Sequence, residues 1–173
     1  MDIVPYSEEH RIFRQTFRRF LEKEIVPHVE AWEEDGIVPR WAWKKLGENG
    51  FLCTAAPVQY GGQGADFLYS AILIEEMARA NFYGLSARLH SDVVVPYLVQ
   101  LATEEQKKKY LPLCASGDML TAIAMSEPAA GSDVAGIVTT AVADGEAFVL
   151  NGQKTFISNG INCDLVIVAA KDP

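Results

Sequence analysis

The first two thirds of the chain carry apolar residues at the 3.6-residue spacing of amphipathic helices. Ser7 suits an N-cap, and Glu8 and Glu9 suit the first turn after it. The predicted helix has one apolar stripe, formed by Ile12, Phe13, Phe17, Phe20, Leu21 and Ile25. We expect Pro27 to kink this helix or to end its first section, because proline lacks the backbone N–H.

Further helices are predicted before residue 118. Their expected spans are 39–47 or 39–50, 67–79, 85–101 and 103–115. Pro39 suits the first position of a helix, and the Gly- and Pro-rich stretch 56–64 predicts a loop. Thr103 and Gln106 have the spacing of a capping box, and Gly117 is placed to end the last helix. The pattern therefore indicates an all-helical domain.

Beyond residue 118 the pattern changes to short apolar or β-branched runs separated by Asx-Gly pairs. The Asp144-Gly145 pair predicts a β-hairpin. Asn151-Gly152 and Asn159-Gly160 repeat this signal. The expected strands span 119–125, 139–143, 147–150, 154–157 and 165–170. We therefore expect an antiparallel meander, and an α+β fold with a helical domain over 1–117 and an incomplete β-domain over 118–173.

Composition and charge narrow the class of protein. The chain has 173 residues, of which 49% are hydrophobic and 22% charged, which is typical of a globular protein and not of a disordered or fibrous one. The net charge of −8 argues against a general nucleic-acid binder. Residues 1–5 do not resemble a signal peptide, and the apolar stretch 93–102 is too short to span a bilayer.

The three cysteines, Cys53, Cys114 and Cys163, lie far apart in the sequence. Scattered cysteines with no Cys-x-x-Cys pair predict free thiols in a reducing compartment and no metal site. We therefore expect a cytoplasmic protein.

The segment 124–136 is the strongest candidate for chemistry. It follows a predicted strand, is rich in small residues and carries Ser126, Glu127, Ser132 and Asp133. Successive backbone N–H groups and a hydroxyl can hold a phosphate there, and small residues allow a ligand close to the backbone. The alternative is a connection between two strands, although thirteen residues is long for one.

This segment resembles the first signature of the acyl-CoA dehydrogenase family at every defined position. The resemblance extends over the whole chain, including Tyr60-Gly61-Gly62 between early helices and the block 150–160. Within the family the chain is most similar to members that act on longer acyl groups. The resemblance implies the family fold, in which a helical domain precedes a barrel-like antiparallel β-domain.

The family oxidises acyl-CoA thioesters between the α and β carbons with FAD, so the resemblance implies a flavoenzyme. The implied cofactor-binding residues are Ile123, Met125, Ser126, Gly131, Ser132, Phe156, Ile157 and Ser158. Ser132 is also expected to approach the CoA portion of the substrate. Two positions depart from common family usage, since Phe156 stands where Trp is frequent and Ser158 where Thr is frequent. Ala129 likewise replaces a frequent Gly.

Other polar residues are given structural interpretations. We expect Glu127 and Asp133 to fix the loop by accepting hydrogen bonds, and Glu75-Glu76 to lie on a solvated helix face. His90 is interpreted as a structural histidine. In the family the catalytic base is a glutamate of a later helical domain, so we expect no catalytic residue within residues 1–173 and no turnover by this chain alone.

The implied partners are an acyl-CoA substrate, an electron-transfer flavoprotein as electron acceptor and further copies in a homotetramer, with no nucleic acid and no membrane. Two alternatives remain open from the sequence. One is a non-catalytic partner subunit that binds flavin or acyl-CoA, which a stop codon directly after Pro173 would favour. The other is an acyl-CoA oxidase, which oxygen consumption would favour.

Overall fold

The computed structural model describes residues 5–82 and 84–172, and it forms two compact units that divide between Met119 and Leu120. The first unit is helical. Its α-helices are α1 (Glu8–Phe20), α2 (Val29–Asp35), α3 (Arg40–Glu48), α4 (Phe67–Arg79), α5 (Val95–Leu101) and α6 (Glu104–Ser116). The second unit holds the strands β1 (Thr121–Ala124), β2 (Thr140–Asp144), β3 (Ala147–Asn151) and β4 (Leu165–Val168).

Helix α1 begins as the sequence predicts. The Ser7 hydroxyl accepts a hydrogen bond from the His10 N–H at 3.3 Å, and the His10 ring accepts one from the Ser7 N–H at 3.1 Å. The predicted disturbance at Pro27 is also confirmed. The helix passes through a π-helical turn at Leu21–Ile25 and a 3₁₀ turn at Val26–His28 before α2, because the proline cannot continue the α-helical ladder.

The predicted helix starting at Pro39 begins one residue later than expected. Pro39 is the N-cap, with φ −69° and ψ 150°, and α3 starts at Arg40. The predicted single helix over 85–101 is divided, since a π-helical segment at Leu89–Val94 precedes α5. Pro96 lies at the start of α5 and has no N–H to donate, which accounts for the change in hydrogen bonding there.

Helix α6 confirms its sequence signals. Thr103 and Gln106 form the capping box, and Gly117 ends the helix in the left-handed conformation with φ +76°. A Cβ at Gly117 would overlap the backbone carbonyl of Trp43, so α3 and the end of α6 approach too closely for a side chain. Trp43 itself is fully buried between them.

The expectation of a solvated face at Glu75-Glu76 is wrong for Glu76, whose side chain is 2% exposed. It accepts hydrogen bonds from Arg14 at 3.1 Å, from Arg18 at 2.7 and 2.8 Å and from Arg79 at 3.1 Å. Because α4 packs on α1, the face that carries Glu76 meets two arginines of that helix. Charge alone could not show this, since Arg14 and Arg18 lie more than fifty positions from Glu76 in the sequence.

The core of the helical unit consists of large apolar side chains from all its layers. The fully buried ones include Phe17, Ile25, Leu46, Leu52, Ile72, Leu73, Phe82, Leu85 and Leu111. Burial of this apolar surface, rather than helix propensity, supplies most of the stability of such short helices. None of the helices that the structure describes is long and apolar enough to cross a membrane.

The second unit contains the predicted hairpin, and this prediction is confirmed. Strands β2 and β3 pair antiparallel with Thr140 opposite Asn151 and Asp144 opposite Ala147, so that Gly145 and Glu146 form a two-residue turn. Gly145 has φ +62°, and two-residue hairpin turns require a positive φ at this first position.

The predicted antiparallel meander is wrong for the other two strands. β1 and β4 pair in parallel, with Thr121 opposite Leu165 and Ala124 opposite Val168. The chain leaves β1, forms the hairpin and returns, so that β4 enters the sheet in the direction of β1. An apolar run does not specify the direction of its partner strand, which the intervening chain path decides.

The predicted strand 154–157 is also wrong, since this segment forms no ladder with the described strands. Phe156 has φ +55°, a left-handed conformation that interrupts a pleated strand. In place of a ladder, the Thr155 N–H donates a single backbone hydrogen bond to the Ser126 carbonyl, just after β1, at 3.0 Å. The segment is therefore an irregular arm rather than a strand.

Candidate functional site

The candidate site lies where the chain leaves β1. Ile123 is within the strand, opposite Ile167 of β4, and Met125 and Ser126 follow the strand directly. Glu127 and Ala130 then exchange two backbone hydrogen bonds, at 2.9 and 3.1 Å, which close a tight turn. This turn fixes the direction in which the loop continues towards Gly131 and Ser132.

Glu127 is the polar centre of this region. Its side chain is 2% exposed and accepts hydrogen bonds from the Val138 N–H at 2.7 Å and from the Thr139 N–H at 3.0 Å. It also accepts one from the Lys154 ammonium at 2.8 Å. The prediction that Glu127 fixes the loop as an acceptor is confirmed.

The environment of Glu127 holds it ionised. The hydrogen bond from Lys154 is the main cause, with those from Thr139 and Val138, and together they lower the pKa of this carboxyl to about 2. A carboxylate with so low a pKa is a weak base at neutral pH. Glu127 is therefore a structural anion rather than a proton acceptor for the reaction.

The arm 154–158 is attached to the loop at two points. The Lys154 ammonium donates to the Met125 carbonyl at 2.9 Å as well as to Glu127, and the Thr155 N–H donates to the Ser126 carbonyl. These bonds bring the arm next to the residues that follow β1. Phe156, Ile157 and Ser158 continue from this attachment.

The Phe156 ring is the most exposed large apolar side chain of the described part of the chain, at 93%. The Ile157 carbonyl accepts a hydrogen bond from the Gly160 N–H at 2.9 Å, which starts the turn after the arm. Ser158 is exposed in that turn. An aromatic face held away from the core by a left-handed residue is available to pack on a flat ligand.

Gly131 and Ser132 lie on the exposed part of the loop. A Cβ at Gly131 would meet no atom within 4 Å, so its backbone faces open space. The loop beyond them is fixed by Asp133, whose carboxylate accepts from the Gly136 N–H at 3.1 Å, as predicted for this residue. The contacts that the structure shows tie the arm to Met125, Ser126 and Glu127, while Gly131 and Ser132 follow further along the loop, beyond the Glu127–Ala130 turn.

Lys154 and Thr139 are contributors that the sequence interpretation missed. A signal for Lys154 exists in the sequence, because it is the sole charged residue between positions 147 and 163. Glu127 is likewise the sole charged residue between 119 and 132. Two isolated opposite charges in apolar segments indicate a buried pair.

Asn159 was assigned only to a turn, but its amide donates to the Thr121 carbonyl at 3.2 Å. Asp164 accepts from the Leu120 N–H at 2.8 Å. These two contacts anchor both ends of the 159–164 turn to the start of β1. They hold the turn that follows the arm, and no spacing rule in the sequence identifies them.

His90, in the helical unit, confirms its structural interpretation. Its ring is fully buried, with Nε2 3.0 Å from the Cys114 carbonyl and 3.5 Å from the Cys53 sulfur. Burial lowers the pKa of His90 to about 4, which leaves the ring neutral at pH 7. Among the described residues, no group of three or more His, Cys, Asp and Glu side chains could hold a metal ion.

Comparison with known proteins defines the class to which this fold and loop belong. The family models described as "Acyl-CoA dehydrogenase, N-terminal domain" and "Acyl-CoA dehydrogenase, middle domain" match residues 7–118 and 122–173. Together they account for nearly the whole sequence. The chain belongs to the acyl-CoA dehydrogenase family.

Individual relatives agree with this assignment. The mouse mitochondrial long-chain specific acyl-CoA dehydrogenase is 44% identical over 165 residues, which cover 95% of this chain and 38% of the mouse protein. A crystal structure of an acyl-CoA dehydrogenase from Geobacillus kaustophilus is 53% identical, with a TM-score of 0.93 over 96% of this chain and 44% of that one.

A third comparison bears on the cofactor. The crystal structure of an acyl-CoA dehydrogenase complexed with FAD from Bacillus anthracis is 37% identical, with a TM-score of 0.89 over 97% of this chain and 30% of that one. The chain described here thus spans less than half the length of these three relatives. The TM-scores show that the path of the backbone is shared over almost all of it.

Proposed function

We propose that the protein is an FAD-dependent acyl-CoA dehydrogenase that oxidises an acyl-CoA thioester to the trans-2-enoyl-CoA. The observation that carries this proposal is the attachment of the exposed Phe156 arm to the loop after β1 by Lys154 and Thr155. This attachment links the two segments that resemble the family's signatures through hydrogen bonds. The family match and the FAD-bound relative support the same conclusion.

The residues present fit a flavin nucleotide. The hydroxyls of Ser126, Ser132 and Ser158 have no side-chain hydrogen bond within the described part of the chain, so they are available as donors to a polar ligand. Phe156 offers an apolar ring face, and the open backbone at Gly131 lets a phosphate approach. Aromatic packing beside several neutral donors is a donor set suited to an isoalloxazine ring and a pyrophosphate.

FAD, when bound, supplies the electron acceptor for oxidation of the α,β bond. We assign the chain's residues the task of holding it, with Ile123, Met125 and Ser126 along one edge of the flavin. Phe156, whose ring is exposed, would pack against the flavin, and Ile157 and Ser158 follow it on the same arm. Hydrogen-bond donors already fixed by the fold lose no reorganisation energy when charge arrives at the ligand.

Gly131 and Ser132 are assigned to the pyrophosphate part of the cofactor, and Ser132 also to the CoA portion of the substrate. Both lie beyond the turn that Glu127 and Ala130 close, at a distance along the loop from the arm. This separation suits an extended ligand whose ring and phosphates contact different segments. The site therefore requires the loop's length, which a plain turn would not need.

No residue of this chain is assigned as the base that removes the α-proton. The two carboxylates of the loop are engaged, Glu127 by Lys154 and by two backbone N–H groups and Asp133 by Gly136. We propose that the base is a glutamate outside residues 1–173. The helical unit is assigned the framing of the acyl pocket.

The finer assignments are part of the same proposal. We infer a longer-chain acyl-CoA as substrate, supported by the 44% identity to the mouse long-chain enzyme. An electron-transfer flavoprotein is the proposed electron acceptor, a homotetramer the proposed assembly and the cytoplasm, or the mitochondrial matrix in a eukaryote, the proposed location.

The absorbance spectrum of the protein expressed from its complete gene tests the proposal. We expect a bound flavin that loses its visible absorption when a long-chain acyl-CoA is added without oxygen, and retains it when free CoA is added. A flavin-free protein, or a flavin that acyl-CoA does not bleach, would contradict the function. Rapid oxygen consumption without an electron-transfer flavoprotein would identify an acyl-CoA oxidase instead.

A further inference from the structure

The Glu127–Lys154 pair joins two segments that are far apart in the sequence. The carboxylate is 2% exposed and the ammonium-bearing side chain is 11% exposed, so both charges are almost withdrawn from water. They are 27 positions apart and meet at 2.8 Å. A buried ion pair is seldom more stabilising than apolar residues of the same size, so stability alone does not explain its presence.

The second contact of Lys154 indicates what the pair does. Its ammonium also donates to the Met125 carbonyl at 2.9 Å, so one side chain holds both the backbone and the acidic residue of the loop after β1. Phe156 lies two residues after Lys154. Its backbone has a left-handed conformation, and its ring is exposed to solvent. The position of that ring thus depends on where Lys154 is held.

Glu127 extends the same network in the other direction. It accepts from the Val138 and Thr139 N–H groups directly before β2, so three segments meet at one carboxylate. The hydrogen bond from the Thr155 N–H to the Ser126 carbonyl joins the same two segments as the Lys154 contacts do, but between uncharged groups. Lys154 is therefore the charged link, and Thr155 the neutral link, between the loop and the arm.

We propose that Lys154 and Glu127 are positioning residues that fix the Met125-Ser126 edge relative to the Phe156–Ser158 arm and thereby set the affinity and the reduction potential of the bound flavin. This inference rests on the proposed function. The pair has no net charge, so the intact site presents fixed dipoles rather than a free charge to the ligand.

Removing either partner leaves a charge of opposite sign. Lys154→Met leaves the Glu127 carboxylate without its cation, which opposes addition of electrons to a nearby ring and lowers the potential. Glu127→Gln leaves the Lys154 ammonium without its anion, which favours added electrons and raises the potential. A role limited to folding has no reason to produce shifts of opposite sign.

The test compares the purified holoenzyme with Lys154→Met, Glu127→Gln and the control Lys171→Met, which removes an exposed lysine of the same unit. The measurements are the dissociation constant for FAD, the flavin reduction potential and the melting temperature of the flavin-free protein. We expect Lys154→Met to bind FAD about tenfold to a hundredfold more weakly, the equivalent of losing a charged hydrogen bond. The two site variants should shift the potential in opposite directions, and Lys171→Met should match the wild type.

Variants that lower the melting temperature but leave both FAD affinity and potential equal to those of Lys171→Met would overturn the inference, as would shifts of the same sign. If Lys154→Met does not fold, Glu127→Gln, which keeps the shape of the side chain, provides the test. A raised flavin potential in that variant supports the inference, and an unchanged or lowered potential overturns it. A wild-type protein without flavin overturns the proposed function first and the inference with it. A flavin that acyl-CoA bleaches normally in a wild type whose variants fail the test overturns the inference alone.

Discussion

Glu76 and Glu127 are buried carboxylates in different units, and each is held ionised by basic partners that include residues distant in the sequence. For Glu76 the hydrogen bond from Arg18 is the main cause, followed by those from Arg14 and Arg79, and they lower its pKa to about 2 despite the opposing effect of burial. Residue identity predicted neither environment correctly in full. Glu127 was correctly read as an acceptor, whereas Glu76 was expected in solvent.

Glu76→Gln is expected to destabilise the helical unit by about 3 kcal/mol, because Arg14, Arg18 and Arg79 lose the buried anion on which they converge. Urea unfolding of the purified protein measures this loss. The matched control is Glu75→Gln, whose carboxylate is 48% exposed and pairs with Arg14 at the surface. That control should cost less than about 1 kcal/mol, and equal losses for the two variants would show that burial of Glu76 contributes nothing.

The same carboxylate makes stability depend on pH. The folded pKa of Glu76 is about 2, while an unfolded glutamate titrates near ~4.3. Its contribution is therefore complete above about pH 4.3 and is lost as the pH falls through about 2. In melting curves between pH 5 and pH 2 (the approximate window set by these pKa values), Glu76→Gln should lose less stability than the wild type. A parallel pair of curves would contradict this account.

Ser132→Ala is expected to weaken retention of FAD, because Ser132 is assigned to the pyrophosphate and its hydroxyl has no partner in the described chain. Loss of one hydrogen bond to a charged group corresponds to about tenfold weaker binding or somewhat more. Flavin content after gel filtration provides the measurement. Ser132→Thr, which keeps the hydroxyl, is the control. An unchanged flavin content in the alanine variant would contradict the assigned contact between Ser132 and the pyrophosphate.

Among the elements, α6 and the β2–β3 hairpin match the local signals that predict them. The capping box and the left-handed Gly117 define the two ends of α6. Gly145 of the Asp144-Gly145 pair is the first residue of the two-residue β2–β3 turn, while Asp144 is the last residue of β2. The signals involve residues within a few positions of one another, so they act whatever the rest of the chain does. The Asn151-Gly152 and Asn159-Gly160 pairs carry the same hairpin signal on either side of the strand expected at 154–157, but the described strands form no hairpin there and the segment is an arm.

Gly117→Ala tests how closely α6 approaches α3. A Cβ at this position would overlap the Trp43 carbonyl and would also strain a backbone with φ +76°. The control is Gly36→Ala, which has a similar φ of +68° but no atom within 4 Å of an added Cβ. We expect about 1 kcal/mol of destabilisation for the control and about 2 kcal/mol more for Gly117→Ala.

Thermal or urea unfolding measures both glycine variants. The difference between them isolates the overlap with Trp43, because the conformational cost is shared. Equal losses would indicate that α3 moves away from α6 without cost and that their close packing is not required.

In the whole molecule, the three cysteines differ in exposure and therefore in expected reactivity. Two are buried in the helical unit, and the third is partly exposed in the second unit. Cys53 and Cys114 are 1% and 0% exposed, and burial raises the pKa of the Cys53 thiol far above its usual range. Cys163 is partly exposed in the turn before β4. The sequence predicted free thiols but did not distinguish them.

We expect iodoacetamide to modify Cys163 in the native protein while Cys53 and Cys114 react only after global unfolding. Peptide mass spectrometry at increasing urea concentrations measures this order. Modification of Cys53 or Cys114 before the unfolding transition would mean that the helical unit opens locally. Cys163→Ser provides the control for the fast-reacting site.

Local sequence patterns predicted most of the helices, the caps of α1 and α6, the β2–β3 hairpin and the family signatures, because these depend on residues close together in the chain. Tertiary structure alone decided the parallel β1–β4 pairing, the burial of Glu76 and the junction of Glu127 with Lys154. The residues that these features join are 27 positions apart for Glu127 and Lys154 and 62 positions apart for Arg14 and Glu76. Which distant residues come into contact depends on the packing of the complete fold, and a pattern of neighbouring residues in the sequence does not specify that packing.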